Sequence, residues 1–262
     1  MKKNAFRNRF LIICVLAVMT AMVCLWIQRC VPEYKDRKNA QMKEGTTVRA
    51  DGGSAKGETK RESEDGGKDT GKDAGLTEAP RIALTFDDGP RPHTTGELLD
   101  GLKERNVKAT FFMIGKYAKE NSQLVKRVKE EGHVIGNHTY SHVDITQLSD
   151  ADAAKELGEM DDVIYSVTGE HVRFVRPPFG AWQKELEEKM DVLPVMWTVD
   201  PLDWTTENVD EIVNKVVTEV EENDIILLHD CYKSSVEAAL RIVDLLLAEG
   251  YEFVTVDELI ID

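Results

Sequence analysis

The stretch Arg81-Ile-Ala-Leu-Thr-Phe-Asp-Asp-Gly-Pro90 decides the fold. Its apolar run, Ile82 to Phe86, ends in two carboxylates and a Gly-Pro turn, which is typical of a strand that exits into a loop. Downstream of it, short β-branched or apolar runs alternate with amphipathic segments of helical period. This alternation predicts β/α repeats that form a parallel sheet.

The alternation continues to the end of the chain. The predicted strands are Ile82 to Phe86, Ala109 to Ile114, Val134 to Gly136, Val172 to Val175, Val195 to Val199, Ile225 to Leu228 and Phe253 to Val256. About seven such units favour a barrel over an open sheet. Because a regular eight-unit barrel needs about 250 residues, we expect an α/β fold with an irregular barrel of about seven repeats.

Amphipathic helices are predicted between the strands. Thr94 and Glu97 resemble a capping box that opens the first helix. Later helices are predicted at Leu124 to Lys129, Ala151 to Val167, Val209 to Val220 and Val236 to Leu247. Three of the helix ends are followed by a glycine placed as a C-cap would be, at Gly132, Gly169 and Gly250.

Residues 1–80 have a different composition and predict a basic end (1–9), a transmembrane anchor (10–28) and a flexible linker (29–80). The uncharged run Phe10 to Ile27 would rise about 27 Å as a helix, close to the roughly 30 Å hydrocarbon thickness of a bilayer. A cleaved signal peptide is the alternative, but its apolar region is usually about 7 to 15 residues and ends in a small-x-small site, which we do not find. Residues 81–262 are the one globular candidate.

The globular part is strongly acidic. The net charge of −15 at pH 7 comes from residues 81–262, because residues 1–80 contain more Lys and Arg than Asp and Glu. An acidic surface repels a phosphate backbone, so we do not expect nucleic-acid binding. Of the four cysteines, only Cys231 lies in the globular part, which excludes a disulfide within it and leaves the role of Cys231 open.

Carboxylates and histidines follow the first and third predicted strands. Asp87 and Asp88 could divide two roles, one binding a metal ion and one acting as a base, although Asp-Gly-Pro is also ordinary turn chemistry. His138 and His142 are four residues apart, so one turn of helix could aim both imidazoles at one ion. With Asp88 they would supply two nitrogens and one oxygen, leaving coordination positions for water and substrate.

The segment Arg176 to Gly180 follows the fourth strand. Its two prolines remove amide donors, so the N–H groups of Phe179 and Gly180 are candidates to face an oxyanion. A rigid surface loop is the alternative. Arg176 could pair with Asp87 and keep this carboxylate ionised.

The fifth and sixth strands also end in polar residues. A histidine at a strand end beside carboxylates is a plausible proton donor, and the charge of Asp203 would raise the pKa of His229. Trp204 could stack on a sugar ring. Taken alone, Trp204 is more often a core residue, and His229 is more often a structural histidine.

Together, these clusters resemble the five ordered motifs of the polysaccharide deacetylase family, the NodB-type carbohydrate esterases. The matching segments are Thr85 to Pro90, His138 to His142, Arg176 to Gly180, Asp200 to Trp204 and Leu227 to His229. The resemblance extends over residues 81–262. It implies an irregular β/α barrel and a divalent metal ion, usually zinc, with cobalt, manganese or nickel as other possibilities.

The resemblance also implies a role for each motif residue. Asp87 would be the general base and His229 the general acid, with Asp88, His138 and His142 as metal ligands. Arg176 would hold Asp87, Asp203 would support His229, and Trp204 and Leu227 would line the acetyl pocket. Val143 stands where the family often has proline. His93, His133 and His171 match no ligand position and are interpreted as structural or surface residues.

The resemblance favours metal-dependent hydrolysis of N-acetyl groups from an extracellular glycan, with release of acetate. Phe179 stands where N-acetylmuramic acid deacetylases of this family tend to carry a basic residue, which favours N-acetylglucosamine of peptidoglycan. Three alternatives stay open: an O-acetyl esterase acting on a xylan-like glycan, a chitooligosaccharide deacetylase, and an inactive wall-binding module. The inferred substrate places the domain outside the cell membrane, and the oligomeric state stays open.

Overall fold

The computed structural model describes residues 79–261, and within them a single sheet contains seven parallel strands. The strands are β1 (Arg81–Asp87), β2 (Thr110–Met113), β3 (Val134–Asn137), β4 (Phe174–Val175), β5 (Leu193–Pro194), β6 (Ile225–His229) and β7 (Glu252–Val254). Their order is β5-β4-β3-β2-β1-β6, and β7 pairs with the start of β1. The predicted α/β class with about seven repeats is confirmed, and the expected irregular barrel takes the form of a curled half-barrel of parallel strands.

Eight α-helices connect or follow these strands in the described part of the chain. They are α1 (Thr94–Glu104), α2 (Gly115–Glu120), α3 (Ser122–Glu130), α4 (Asp150–Thr168), α5 (Glu185–Met190), α6 (Val209–Glu219), α7 (Lys233–Ala248) and α8 (Val256–Ile261). The helices α2, α5 and α8 were not predicted. Each has six residues, too short for a periodic apolar pattern to be recognised.

Packing of the helices on the sheet explains why these segments fold. In α1, the side chains of Leu98, Leu99 and Leu102 are fully buried, and α7 buries Ile242 and Leu246 in the same core cluster. Burying one such side chain stabilises the fold by about 1.5–3 kcal/mol. The strand β1 is buried from its second residue to its last, so it lies at the centre of the domain.

The register of β1 positions the ends of its neighbours. Asp87 pairs with Phe112 of β2 on one side and with His229 of β6 on the other. On β3, Asn137 pairs with Val175 of β4. Because all these strands are parallel, their carboxyl ends meet at one edge, which brings the residues after β1, β3, β4 and β6 together.

The fifth strand lies earlier than predicted. The sequence predicted Val195 to Val199, but the strand that pairs with β4 is Leu193–Pro194. Val195 still donates its N–H to Val175 O at 2.8 Å, whereas Val199 forms a bridge with Ile226 of β6. The segment 193–199 thus begins as the edge strand β5 beside β4 and ends beside β6, the edge strand on the other side of the sheet. Its residues Val195 and Val199 therefore bond to two different strands and do not form one continuous strand.

The predicted capping box at Thr94 is wrong. Thr94 is the first residue of α1, and the N-cap is His93, whose side chain makes no capping hydrogen bond. The neighbouring Thr95 instead ties the preceding loop to the helix, because its Oγ1 accepts the N–H of Arg91 at 2.7 Å. The three predicted C-cap glycines are confirmed by their positive φ angles, which only glycine adopts without strain: Gly132, Gly169 and Gly250.

Among residues 79–261, no helix has the length and apolar character that crossing a membrane requires. The predicted basic end (1–9), the predicted transmembrane anchor (10–28) and residues 29–78 of the predicted linker lie outside the described residues. These segments and the domain boundary at residue 81 therefore stay predictions.

Candidate active site

The first motif forms the loop after β1. Asp87 is the last residue of β1 and is 3% exposed, whereas Asp88 has a φ of 73°. Two backbone hydrogen bonds fix the loop: Ile114 N–H donates to Gly89 O at 2.9 Å, and Asp230 N–H donates to Asp87 O at 3.3 Å. The two carboxylates are thereby held by β1, β2 and β6 together.

The second motif is a tight loop after β3, not the expected turn of helix. Thr139 and His142 both have positive φ angles, of 62° and 59°. Asn137 Oδ1 accepts the N–H of Thr139 at 2.9 Å, and Thr139 Oγ1 accepts the N–H of His142 at 3.0 Å. These side-chain acceptors replace the backbone bonds of a helix, and the loop still brings both imidazoles together, with ring centroids 5.0 Å apart.

The predicted ligand set converges on one point. Asp88 Oδ1 lies 3.5 Å from His138 Nε2 and 3.3 Å from His142 Nε2, and the three ligand atoms are within 4.8 Å of one another. Asp88 Oδ1 is buried and has no hydrogen-bond partner within residues 79–261, as expected of an oxygen that binds a cation.

The second nitrogen of each imidazole supports the same interpretation. His138 Nδ1 lies 2.6 Å from Arg176 O, which leaves the Nε2 lone pair directed at Asp88. Burial lowers the pKa of His142, against the charge of Asp88, so its imidazole tends to be neutral. Neutral imidazoles and a carboxylate are the donors that a divalent ion such as zinc uses, so the residues fit the implied metal.

Arg176 makes the predicted contact with Asp87 and is fully buried. Its Nη1 donates to Asp87 Oδ1 at 2.9 Å and to Thr85 Oγ1 at 2.7 Å. Its Nε donates to Val195 O at 3.0 Å, and its guanidinium carbon lies 4.1 Å from the centre of the Phe112 ring. Burial lowers the pKa of Arg176 and the charge of Asp87 raises it, but a guanidinium stays protonated in proteins.

His229 and Asp203 form a second pair on the other side of the ligand set. Asp203 Oδ1 lies 2.8 Å from His229 Nδ1, and Asp203 Oδ2 accepts the backbone N–H of His229 at 2.8 Å. Burial lowers the pKa of His229, but the hydrogen bond and charge of Asp203, helped by the charges of Asp87 and Asp88, raise it to about 9. The imidazole is therefore held as a cation that can give up a proton.

The third motif differs from the prediction in one respect. Pro178 to Gly180 forms a 3-10 turn in which Gly180 N–H donates to Pro177 O at 3.1 Å. This N–H is thus occupied, and Phe179 remains as the candidate donor to an oxyanion. Phe179 has a φ of 62°, is 71% exposed, and places its ring edge-to-face with His142 at 5.0 Å between centroids.

The two residues predicted to line the acetyl pocket lie in different surroundings. Trp204 is on the 3-10 turn Asp203–Thr205, is 56% exposed and lines a cavity of about 560 Å3. Leu227 is 4% exposed within β6, opposite Thr85 of β1, and is not among the residues of that cavity. A shared pocket of these two side chains stays a prediction.

The sequence did not predict one buried residue at the site, Asp230. Asp230 is 1% exposed, and its Oδ2 accepts the hydroxyl of Thr95 at 2.5 Å. A Cβ at Gly89 would clash with the Asp230 carboxylate, so the loop that carries Asp87 and Asp88 packs directly on this side chain. Burial raises the pKa of Asp230 to about 7, against the hydrogen bond from Thr95. The only signal in the sequence was its position directly after His229.

The remaining histidines and Cys231 take no part in the ligand set. His133 is buried and its Nδ1 accepts the N–H of Ala109 at 3.1 Å, and burial lowers its pKa to about 4. His171 pairs with Asp161 at 2.7 Å, and His93 is an exposed N-cap. Burial raises the pKa of Cys231 to about 12, which keeps it a thiol. The interpretation of these histidines as structural or surface residues is confirmed.

Comparison with known proteins agrees with the geometry. The family model described as "Polysaccharide deacetylase" matches residues 74–196. The peptidoglycan-N-acetylmuramic acid deacetylase PdaC of Bacillus subtilis is 40% identical over 178 residues, which are 68% of this chain and 38% of that protein. The chain thus spans about two fifths of the length of this relative. The chitooligosaccharide deacetylase of Sinorhizobium fredii is 41% identical over 158 residues, 59% of this chain and 74% of the relative.

Solved structures give the same result. The structure of the peptidoglycan deacetylase PdaC from Bacillus subtilis matches with a TM-score of 0.68 at 39% identity. The match covers 69% of this chain and 90% of that one. Fold, motif residues and relatives thus agree, and the chain belongs to the polysaccharide deacetylase family.

Proposed function

We propose that this protein hydrolyses N-acetyl groups of N-acetylglucosamine in peptidoglycan in a metal-dependent reaction that releases acetate. The observation that carries the proposal is the convergence of Asp88, His138 and His142 within 4.8 Å. Asp87 lies beside this set, with its Oδ2 at 3.8 Å from His138 Nε2. A ligand set next to a base and an acid is the arrangement that hydrolysis of an amide requires.

The base side of the site follows from the Asp87 contacts. A divalent ion held by the three ligands would polarise the acetyl carbonyl and lower the pKa of a bound water from about 15.7 towards about 7. Arg176 occupies Oδ1 of Asp87, which leaves Oδ2 to take the proton of the attacking water. We assign the N–H of Phe179 as the donor to the oxyanion.

The acid side follows from the His229 contacts. An amide needs its nitrogen protonated before the C–N bond breaks, because an amine anion is a poor leaving group. Asp203 binds Nδ1 of His229, so Nε2 is the nitrogen that donates the proton to the departing amine. The products are acetate and a free glucosamine amine.

Zinc is the metal we propose. Two imidazole nitrogens and one carboxylate oxygen, with positions left for water and substrate, are typical of catalytic zinc sites. Cobalt, manganese and nickel accept similar donors and are the alternatives. Metal content of the purified protein, measured by mass spectrometry and followed by activity after reloading with each ion, distinguishes them.

Two observations bear on the choice of sugar. Phe179 stands where a basic residue would favour N-acetylmuramic acid, and this supports N-acetylglucosamine. The Bacillus subtilis relative at 40% identity is named for N-acetylmuramic acid, which makes that sugar the second candidate. Chitooligosaccharides and O-acetylated xylan are further candidates, because the same site could cleave either kind of acetyl group.

We also propose that the catalytic domain lies outside the cell, held by an uncleaved membrane anchor at residues 10–28 and a linker at 29–80. The uncharged run and the polar, aperiodic composition after it support this arrangement. Fractionation of cells, combined with protease accessibility of the domain in intact protoplasts, tests it. A domain protected from protease in intact protoplasts contradicts it.

The test of the function is acetate release from purified peptidoglycan, before and after treatment with a chelator. We expect activity that is lost with the chelator and restored by zinc, with glucosamine found in the product hydrolysate. Acetate released faster from acetylated xylan would favour the esterase. Binding to peptidoglycan without any acetate release would favour the inactive wall-binding module and contradict the proposal.

A further inference from the structure

Asp230 contacts the chain on both sides of Asp88, the carboxylate of the ligand set. Its backbone N–H donates to Asp87 O at 3.3 Å, on the amino side of Asp88. Its carboxylate lies against Gly89 on the carboxyl side, where a Cβ would be 2.3 Å from Asp230 Oδ2 and 2.4 Å from Oδ1. Only a residue without a side chain lets a carboxylate approach the loop this closely. One residue thus confines Asp88 from two directions.

The start of α1 fixes the Asp230 carboxylate in this position. Its Oδ2 accepts the hydroxyl of Thr95 at 2.5 Å, and Thr95 is fully buried. Thr95 also binds the far end of the loop, because its Oγ1 accepts the N–H of Arg91 at 2.7 Å and its own N–H donates to Arg91 O at 3.3 Å. The carboxylate therefore cannot leave Gly89 without breaking a buried hydrogen bond.

Asp88 needs this support because its backbone has an unusual conformation. Its φ of 73° lies in the left-handed region, which residues other than glycine rarely adopt and which persists only where the surrounding structure holds it. This conformation places Asp88 Oδ1 at 3.5 Å from His138 Nε2 and at 3.3 Å from His142 Nε2. An Asp88 that relaxed to an ordinary φ would turn its carboxylate away from the two imidazoles.

The surroundings of Asp230 are unfavourable for folding alone. The residue is 1% exposed, and its Oδ1 is buried with no hydrogen-bond partner among residues 79–261. Burying a carboxylate oxygen without a donor costs free energy. Departures of this kind from the rules of stable packing are typical of functional sites, and this one lies directly beside the loop that carries Asp87 and Asp88.

We propose that Asp230 is a positioning residue of the metal site: its carboxylate, packed on Gly89, keeps Asp88 aimed at the two histidines of the ligand set. In this role Asp230 touches neither the ion nor the substrate and acts only through the loop. The inference rests on the proposed function, because it assigns a further residue to the same site.

The test is the zinc affinity of the purified full chain, measured without substrate by competition with a chromophoric chelator. Asp230→Ala is expected to raise the Kd for zinc about 10- to 100-fold, the usual effect of losing a group that orients a metal ligand. Asp230→Asn keeps the shape of the side chain and an oxygen that can accept the Thr95 hydroxyl, so it should retain most of the affinity. The control is Leu246→Ala, which removes a fully buried side chain of α7 and destabilises the domain but should leave the Kd unchanged.

A double-mutant cycle tests the contact with Gly89. Gly89→Ala places a methyl group where the Asp230 carboxylate lies, so it should weaken zinc binding. In the Asp230→Ala background the same methyl group has room, so the further loss should be smaller. Additive losses of affinity in the double variant overturn the proposal, because Asp230 would then act by a route other than Gly89.

Two results with the single variants also overturn the positioning role. One is a zinc Kd in Asp230→Ala equal to that of the unmodified chain. The other is an Asp230→Asn affinity as low as that of Asp230→Ala, because the charge of Asp230 and not its position would then act on the ion. If Asp230→Ala does not fold, Thr95→Val removes the hydroxyl that holds the carboxylate and is expected to weaken zinc binding in its place.

Failure of this inference is distinguishable from failure of the proposed function. An unmodified chain that binds no divalent ion overturns both. An unmodified chain that binds zinc and releases acetate, with an unchanged zinc Kd in Asp230→Ala, overturns the positioning role alone.

Discussion

The base side and the acid side of the site are built differently. Arg176 and Asp87 have side chains that are 0% and 4% exposed, and five hydrogen bonds from the Arg176 side chain or to its carbonyl tie them to the core. His229 is 13% exposed and its partner Asp203 adjoins an open cavity. In the proposed mechanism, the residue that takes a proton is thus enclosed, whereas the residue that gives its proton to the departing amine lies beside an open cavity.

The largest expected effect comes from the base. Asp87→Asn keeps the shape of the side chain but removes the proton acceptor, so we expect kcat to fall by at least about 10³-fold while zinc is retained. Acetate release and metal content are measured on the same sample. A variant with full metal and near-normal turnover would show that Asp87 is not the base.

The enclosed pair predicts a large effect on stability. Arg176→Met leaves the buried Asp87 carboxylate without a partner, so we expect the free energy of unfolding to fall by about 3–5 kcal/mol. The control is Arg241→Met, whose ion pair with Asp210 at 2.8 Å is exposed and is worth less than about 1 kcal/mol. Urea unfolding monitored by circular dichroism measures both. Equal losses of unfolding free energy in the two variants would contradict the larger contribution expected of the buried pair.

The acid side predicts a pH effect. His229 must be protonated to act, so kcat/KM should fall as the pH rises through its pKa of about 9. Asp203→Asn removes the charge that raises this pKa, and we expect the falling limb to move towards the ordinary value of 6.5, with a loss of about 30-fold at pH 8. A limb at the same pH in both proteins would contradict the assignment.

The raised pKa of His229 also makes the free energy of unfolding depend on pH. Because the pKa of His229 in the fold is above its ordinary value, the pair with Asp203 stabilises the protein fully below about pH 6.5. This contribution is lost as the pH rises through about 9. Urea unfolding at pH 6 and pH 10, compared between the unmodified protein and Asp203→Asn, measures it.

The smallest expected effect is on stability. It distinguishes two adjacent threonines near the loop that carries Asp87. Thr95 donates to Asp230 and accepts from Arg91, so Thr95→Val should cost about 1–3 kcal/mol of stability. Thr94 Oγ1 is buried and has no hydrogen-bond partner among residues 79–261, so Thr94→Val should be nearly neutral. Thermal unfolding of the two variants compares them. Equal losses would mean that the Thr95 bonds do not hold the loop.

Much of the site could be predicted because parallel strands end at one edge of a sheet. Placing motifs after β1, β3, β4 and β6 was enough to bring Asp87, His138, Arg176 and His229 together. Contacts with partners distant in sequence were not predictable. The position of β5 depends on its pairing with β4, while Val199 bridges Ile226 instead, and the role of Asp230 depends on its contacts with Thr95 and Gly89.

Local conformation was the weakest part of the prediction. The His138 to His142 loop takes its shape from Asn137 and Thr139 side chains, which spacing alone does not reveal. Gly180 uses its N–H within a 3-10 turn, although two prolines precede Phe179 and Gly180 and leave those N–H groups as the available donors. In both cases, hydrogen bonds from side chains or within a turn set a conformation that the residue types alone did not predict.

The segment 193–199 does more than join the two edge strands, because the carbonyls of Val195 and Met196 accept hydrogen bonds from Arg176. Val195 is in turn held by its N–H bond to Val175 O at 2.8 Å. Transient opening of this sheet edge would therefore remove two of the acceptors that orient the guanidinium towards Asp87. Hydrogen exchange at the Val195 amide would then report how often Arg176 loses this support.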